Sequence, residues 1–171
     1  MPTIGVAIAI PEPWGGVLER HRTDFGDPLA GEVPVHVTLV PPTVVEVGPG
    51  PVDNHLAEVA AMHPPFSLHL RGTATFRPVS PVVFVALSQG ISACELLADE
   101  TRSGPLAQDL LFPYHPHVTV AHDLDEATLD HAYASLRDFE AAFEVRHFHL
   151  YVHGDDGVWR PEQTYTLGVR R

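Results

Sequence analysis

The chain has no lysine, one cysteine and no apolar run long enough to span a bilayer. Each shortage closes something off. Cys94 has no second cysteine to meet, so no internal disulfide can form, which agrees with a reducing, cytoplasmic setting. The opening MPTIGVAIAIPEPW carries an apolar run of only about seven residues and no basic lead, so neither a signal peptide nor a membrane helix is expected. With lysine absent, all ten basic residues are arginine, and 22 acidic ones bring the formal net charge to −12. A surface so acidic repels a long polyanion unless its arginines cluster. Any nucleic-acid substrate is therefore expected to be small, or a chain end. What is abundant is apolar: 44% of 171 residues, enough to bury a core and too much for a disordered chain.

Period-two and helical patterning lay out an α+β chain. Strands are expected at 3–10, 34–40, 66–76, 81–88, 117–121, 143–153 and 158–168. Helices are expected at 13–25, 51–62, 90–111 (interrupted at Gly104-Pro105) and 125–139. Pro41-Pro42 should stop the second strand, because proline cannot donate to a ladder. GDDG at 154–157 reads as a hairpin turn, and DEATLDHAYASL from Asp125 as an ordinary acidic helix start. Two stretches repeat the order strand, helix, hairpin, with no linker between them. One domain over 1–171 with two pseudo-symmetric lobes is expected, its mostly antiparallel sheets covered by helices.

The strands that open those repeats hold the same unit, His36-Val37-Thr38-Leu39 and His117-Val118-Thr119-Val120, 81 positions apart. Side chains at i and i+2 leave one face of a strand, about 7 Å apart. His36 therefore points with Thr38, and His117 with Thr119, while the aliphatic residues turn to the core. Facing each other across one cleft, the strands would set two imidazoles and two hydroxyls around a phosphodiester. One neutral histidine can take a proton from attacking water, and the other, protonated, can give one to the leaving oxygen. The hydroxyls can hold the non-bridging oxygens. Histidine keeps both forms near neutrality, and a coupled pair should give a bell-shaped rate profile. No metal or cofactor is required. The bare pattern is a weak signal, since twelve histidines and 17 serines and threonines give about one match by chance. A third match, His21-Arg22-Thr23, fails on context, because a polar, helix-like segment surrounds it. The other two share an aliphatic frame and a nearby proline.

HVTLVPP and HPHVTVAH resemble the two signature motifs of the 2H phosphoesterase superfamily, specifically its 2′-5′ RNA ligase (LigT-like) family. Motif order and spacing agree over nearly the whole chain. The resemblance implies a bilobal fold, with helices on the outer faces of two sheets and a central cleft. It also implies metal-independent opening of 2′,3′-cyclic phosphates on RNA 3′ ends or small nucleotides to 2′-phosphates, with 2′-5′ ligation as the reverse. On that basis His36 and His117 are the catalytic pair, and Thr38 and Thr119 bind phosphate. His36 is the expected proton donor and His117 the acceptor, an assignment the residues alone leave open. Several family members place a basic residue directly after the second motif. Here Ala121-His122 follows, and by alternation His122 faces away from His117 unless a bulge intervenes.

Further residues are candidates for the substrate groove. Strand 66–77 puts Arg71 and Arg77 on its polar face, to hold a phosphate if that face lines the cleft, or to be solvated if it does not. Phe84 could stack on a base or simply pack in the core. Tyr114 and His115 stand just before the second motif, at the expected rim. His147, His149, Tyr151 and His153 alternate with apolar residues, forming either a polar wall or an exposed face, and a metal is not expected there. Trp159 is expected to pack at its hairpin. The alternative of a different class is a monomeric module that binds a nucleotide or RNA terminus without turnover.

Overall fold

The computed structural model describes residues 1–169. Alternating apolar residues bury one face of β1 (Thr3–Ala9), where Ile4, Val6 and Ile8 are at most 4% exposed. Next comes α1 (Trp14–Phe25), closed by Gly26 at φ +83°, a left-handed value that glycine adopts without strain. Its buried stripe includes Leu18, Arg22 and Phe25, an arginine where the helical period asks for an apolar residue. The chain continues through β2 (His36–Val44), α2 (Pro49–Met62), β3 (Phe66–Thr75), β4 (Val82–Gln89) and α3 (Ile91–Thr101). After a short 3-10 turn at Gly104–Leu106 come β5 (His117–His122), α4 (Glu126–Ser135), β6 (Glu140–Val145), β7 (His147–His153) and β8 (Trp159–Thr166).

The strands form two four-stranded antiparallel sheets, ordered β2-β1-β7-β8 and β5-β4-β3-β6. The lobes exchange helices. α1 follows a strand of the first sheet yet packs on β5 of the second, while α3 follows β4 of the second and packs on β2 of the first. α2 rests on β8 and α3, and α4 covers β3, β4 and β5. Asp125 caps α4 as its sequence suggests, accepting the Thr128 N–H at 2.8 Å. Val37, Leu39, Val118 and Val120 are all 0% exposed, on the core side of their strands.

Four expected elements change their bounds. β2 does not stop at Pro41-Pro42 but runs on to Val44. It is an edge strand, and Gly5 of β1 lies opposite both prolines in a bulge between the pairs Ile4–Thr43 and Val6–Val40, where no ladder N–H is needed. The expected strand 143–153 is two strands in different sheets, broken at Arg146. Val145 and Phe148 are both buried, a spacing of three that period two cannot satisfy. Helix 90–111 ends at Thr101, and helix 125–139 at Ser135.

Candidate active site

β2 and β5 each stand at the edge of their sheet, and the two edges meet. Each breaks its ladder at the same place. Thr38 pairs with Ala7 but Val40 with Val6, and Thr119 pairs with Phe84 but Ala121 with Val83. Leu39 and Val120 are thus the extra residues of two matching bulges, each directly after its threonine. The histidines are held alike as well. His36 Nδ1 lies 2.6 Å from the carbonyl oxygen of Pro34, and His117 Nδ1 lies 2.6 Å from that of His115. A carbonyl oxygen only accepts, so each Nδ1 donates its proton there and each neutral ring keeps the Nε2 lone pair for chemistry.

His36, Thr38 and Thr119 line one cavity of about 260 Å³. His117 shares the strand face of Thr119, close enough to His36 for its charge to disfavour protonation of that ring. Burial first, and then the charges of Arg22 and His117, lower His36 to about 4 against the opposing hydrogen bond to Pro34. His117 is lowered too, by burial and then by His115. Both rings are therefore neutral at pH 7 in the free protein. The floor of the cavity is Gly5, Val6 and Ala7 of β1, and its walls include Tyr151 and Trp159. A Cβ on Gly5 would stand 3.5 Å from the Trp159 ring. Burial raises the Tyr151 hydroxyl above its ordinary range.

His117 itself is wedged between aromatic rings. Phe76 meets it edge-on at 4.9 Å, and Phe84 lies 5.2 Å away. From the segment before β5, the Tyr114 hydroxyl donates to the Thr38 carbonyl at 2.6 Å, tying one motif to the other.

A family model described as the 2′-5′ RNA ligase superfamily matches residues 10–157. The chain belongs to that superfamily. Over 145 residues it is 28% identical to a Bacillus thuringiensis protein named "Putative phosphoesterase", covering 83% of this chain and 84% of that one. Crystal structures of E. coli LigT in complex with NADP+ and with 3′-AMP match with TM-scores of 0.66 and 0.65 at 19% and 20% identity. Each match covers 99% of this chain and 100% of LigT. A Thermus thermophilus protein gives a TM-score of 0.69 at 20% identity over 99% of this chain and all of that one. The fold is LigT-like, two antiparallel sheets with a cleft between lobes.

Within that superfamily frame, several expected groove residues lie elsewhere. Arg77 donates to Glu126 at 3.0 Å and Asp130 at 2.9 Å, so its guanidinium is committed to α4. Arg71 is exposed on β3, in register with Glu140 of β6 and two strands away from β5. The polar face of β3 also gives Thr73 to the Tyr133 carbonyl of α4, so this face serves α4 and solvent. Phe84 is 3% exposed and packs on Phe76 and His117, which leaves no face for a base. His115 is exposed and stacks on His117 at 6.2 Å, whereas Tyr114 is partly covered, with Arg102 over its ring at 5.5 Å. His149 Nδ1 lies 3.0 Å from the Thr164 hydroxyl and faces a separate groove with His147; of that strand only Tyr151 reaches the cavity. His153 lies tilted against Trp159 with ring centroids 4.8 Å apart, and among the described residues no three His, Cys, Asp or Glu side chains gather to hold a metal ion. No helix among the described residues is long and apolar enough to cross a membrane.

Three cavity residues, and a carboxylate behind one of them, escaped the sequence reasoning as groove residues. Trp159 packs at its hairpin against His153, as expected, and also walls the cavity, and His122 joins it because the Val120 bulge turns it to the side of Thr119. Arg22 was hidden in the discarded His21-Arg22-Thr23 match, and Asp27 behind it accepts from Arg22 Nε at 3.0 Å with both side chains at most 3% exposed. The readable signal was the break in the apolar stripe of α1. Nη1 of Arg22 has no hydrogen-bond partner among the described residues, a deficit that costs about 1–3 kcal/mol when buried.

Proposed function

We propose that this phosphoesterase-family protein opens 2′,3′-cyclic phosphates of small nucleotides or RNA 3′ ends to 2′-phosphates, with 2′-5′ ligation as the same ring opening by a 5′-hydroxyl in place of water. One observation carries the reading: two histidine–threonine pairs, each histidine with the same Nδ1 lock, stand on edge strands that meet at one gap. Nucleotides are the favoured substrates because LigT has been crystallised with 3′-AMP and NADP+, and because the cavity beside His36 is apolar, aromatic-walled and small.

In the reaction, a water oxygen bonds to phosphorus as the bond from phosphorus to O3′ breaks. His36 Nε2 takes the proton from the water, and protonated His117 gives its own to O3′. Thr38 and Thr119 donate hydrogen bonds to the non-bridging oxygens, where charge grows. His36 is assigned as the base because burial and Arg22 hold it neutral more firmly than His117, which the bound anion helps to protonate. That inverts the roles expected from the family resemblance.

Hydrolysis of nucleoside 2′,3′-cyclic monophosphates in EDTA, followed by ³¹P NMR, tests the proposal. Turnover to the 2′-phosphate is expected, falling about 100-fold or more in His36→Ala and His117→Ala. Comparable turnover by the double variant, or a 3′-phosphate product, would refute it.

A further inference from the structure

We propose that Arg22, oriented by Asp27, is the cation that receives the substrate's phosphate in this cleft. The inference rests on the phosphoesterase reading of the site. No arginine or lysine directly follows the second motif here, and Arg77, Arg137, Arg146 and Arg160 face carboxylates, while Arg102 lies over the Tyr114 ring and does not line the cavity. Arg22 is placed differently. It reaches the cavity from α1, which packs against β5, and lines it together with His36, Thr38 and Thr119.

The geometry divides the guanidinium into two working edges. Nε is fixed on Asp27 Oδ2 at 3.0 Å, while Asp27 Oδ1 is held by the Leu29 N–H at 2.8 Å. Asp27 is therefore anchored to backbone, and the orientation of Arg22 follows from it. Nη1 is buried and has no acceptor among the described residues. His122 Nδ1 in the same corner is also without a hydrogen-bond partner among the described residues, lying 3.5 Å from Asp27 Oδ1, while its Nε2 faces Asp123 at 3.1 Å. A buried ion pair retained only for stability could be exchanged for apolar residues without loss, and buried donors are seldom left unmade. An arginine with one edge pinned and another free is preorganised for a phosphate oxygen, which accepts its N–H and balances its charge. Arg22 lines the same cavity as the His36 ring, near enough for its charge to disfavour protonation there.

Inorganic phosphate is the probe. Isothermal titration calorimetry on the wild type should show phosphate binding at the cleft, and Arg22→Gln should raise its Kd at least tenfold. Arg22→Lys should recover only part of the loss, since one ammonium cannot hold Asp27 and the anion in the same geometry. If Arg22→Gln fails to fold, the double variant Arg22→Met/Asp27→Leu removes both charges together and should bind phosphate as poorly. Phosphate affinity equal to wild type in either variant, or no binding by the wild type, overturns the proposal. Cyclic-nucleotide turnover measured alongside separates the two ideas. Arg22-dependent phosphate binding without turnover would sink the proposed reaction and keep the site. Turnover undiminished in Arg22→Gln would sink the site and keep the reaction.

Discussion

Acid should weaken this fold, and His36 is the side chain in which the effect is largest. Its folded value of about 4 lies below the ordinary 6.5, because burial removes water from the ring and Arg22 and His117 add like charge. Between those two values the unfolded chain binds a proton that the folded chain refuses, so stability rises with pH across that window. The contribution is complete above 6.5 and fully lost below 4. At pH 5 the linkage expression gives a loss of about 2 kcal/mol relative to pH 7.5 for this ring alone. Replacing it with a group that does not titrate isolates the effect. Guanidinium unfolding of wild type and His36→Asn at pH 7.5 and pH 5 should show the wild type losing about 2 kcal/mol more than the variant, with unchanged denaturant slopes. An NMR titration of the His36 ring proton should have its midpoint well below that of a free histidine. Equal acid losses in the two proteins, or a midpoint near 6.5, would refute the reasoning.

Other substitutions separate the cleft from its surroundings. Ala7→Leu should fill the cavity floor and raise KM for a cyclic nucleotide about tenfold or more, while thermal unfolding shows the fold kept. Phe84→Ala should cost about 3–5 kcal/mol in chemical unfolding, because the ring is buried, and should lower kcat by loosening the wall behind His117. Arg77→Ala should leave kcat/KM within about twofold and cost at most about 1 kcal/mol, since its carboxylate partners on α4 are exposed.

Period and spacing alone were enough for the motif geometry: a histidine and a threonine two apart in a strand share a face, and their neighbours go to the core, as Val37 and Val118 do. The Asp125 cap and the apolar side of α2, with Val52, Leu56, Val59 and Ala60, follow from equally local rules. Everything that depends on what lies across the gap needed the tertiary fold. Pro41 and Pro42 are tolerated because β2 has a neighbour on one side only and meets it there through a bulge. His122 reaches the cavity because a bulge adds one residue to β5, and one residue reverses every side chain beyond it. Arg77 was on offer for the phosphate until α4 supplied two carboxylates, and Arg22 took its place because α1 crosses from one lobe to the other. Alternation along a strand is decided by bonds between neighbours in sequence; which charge a guanidinium meets is decided by packing between segments that the sequence does not place side by side.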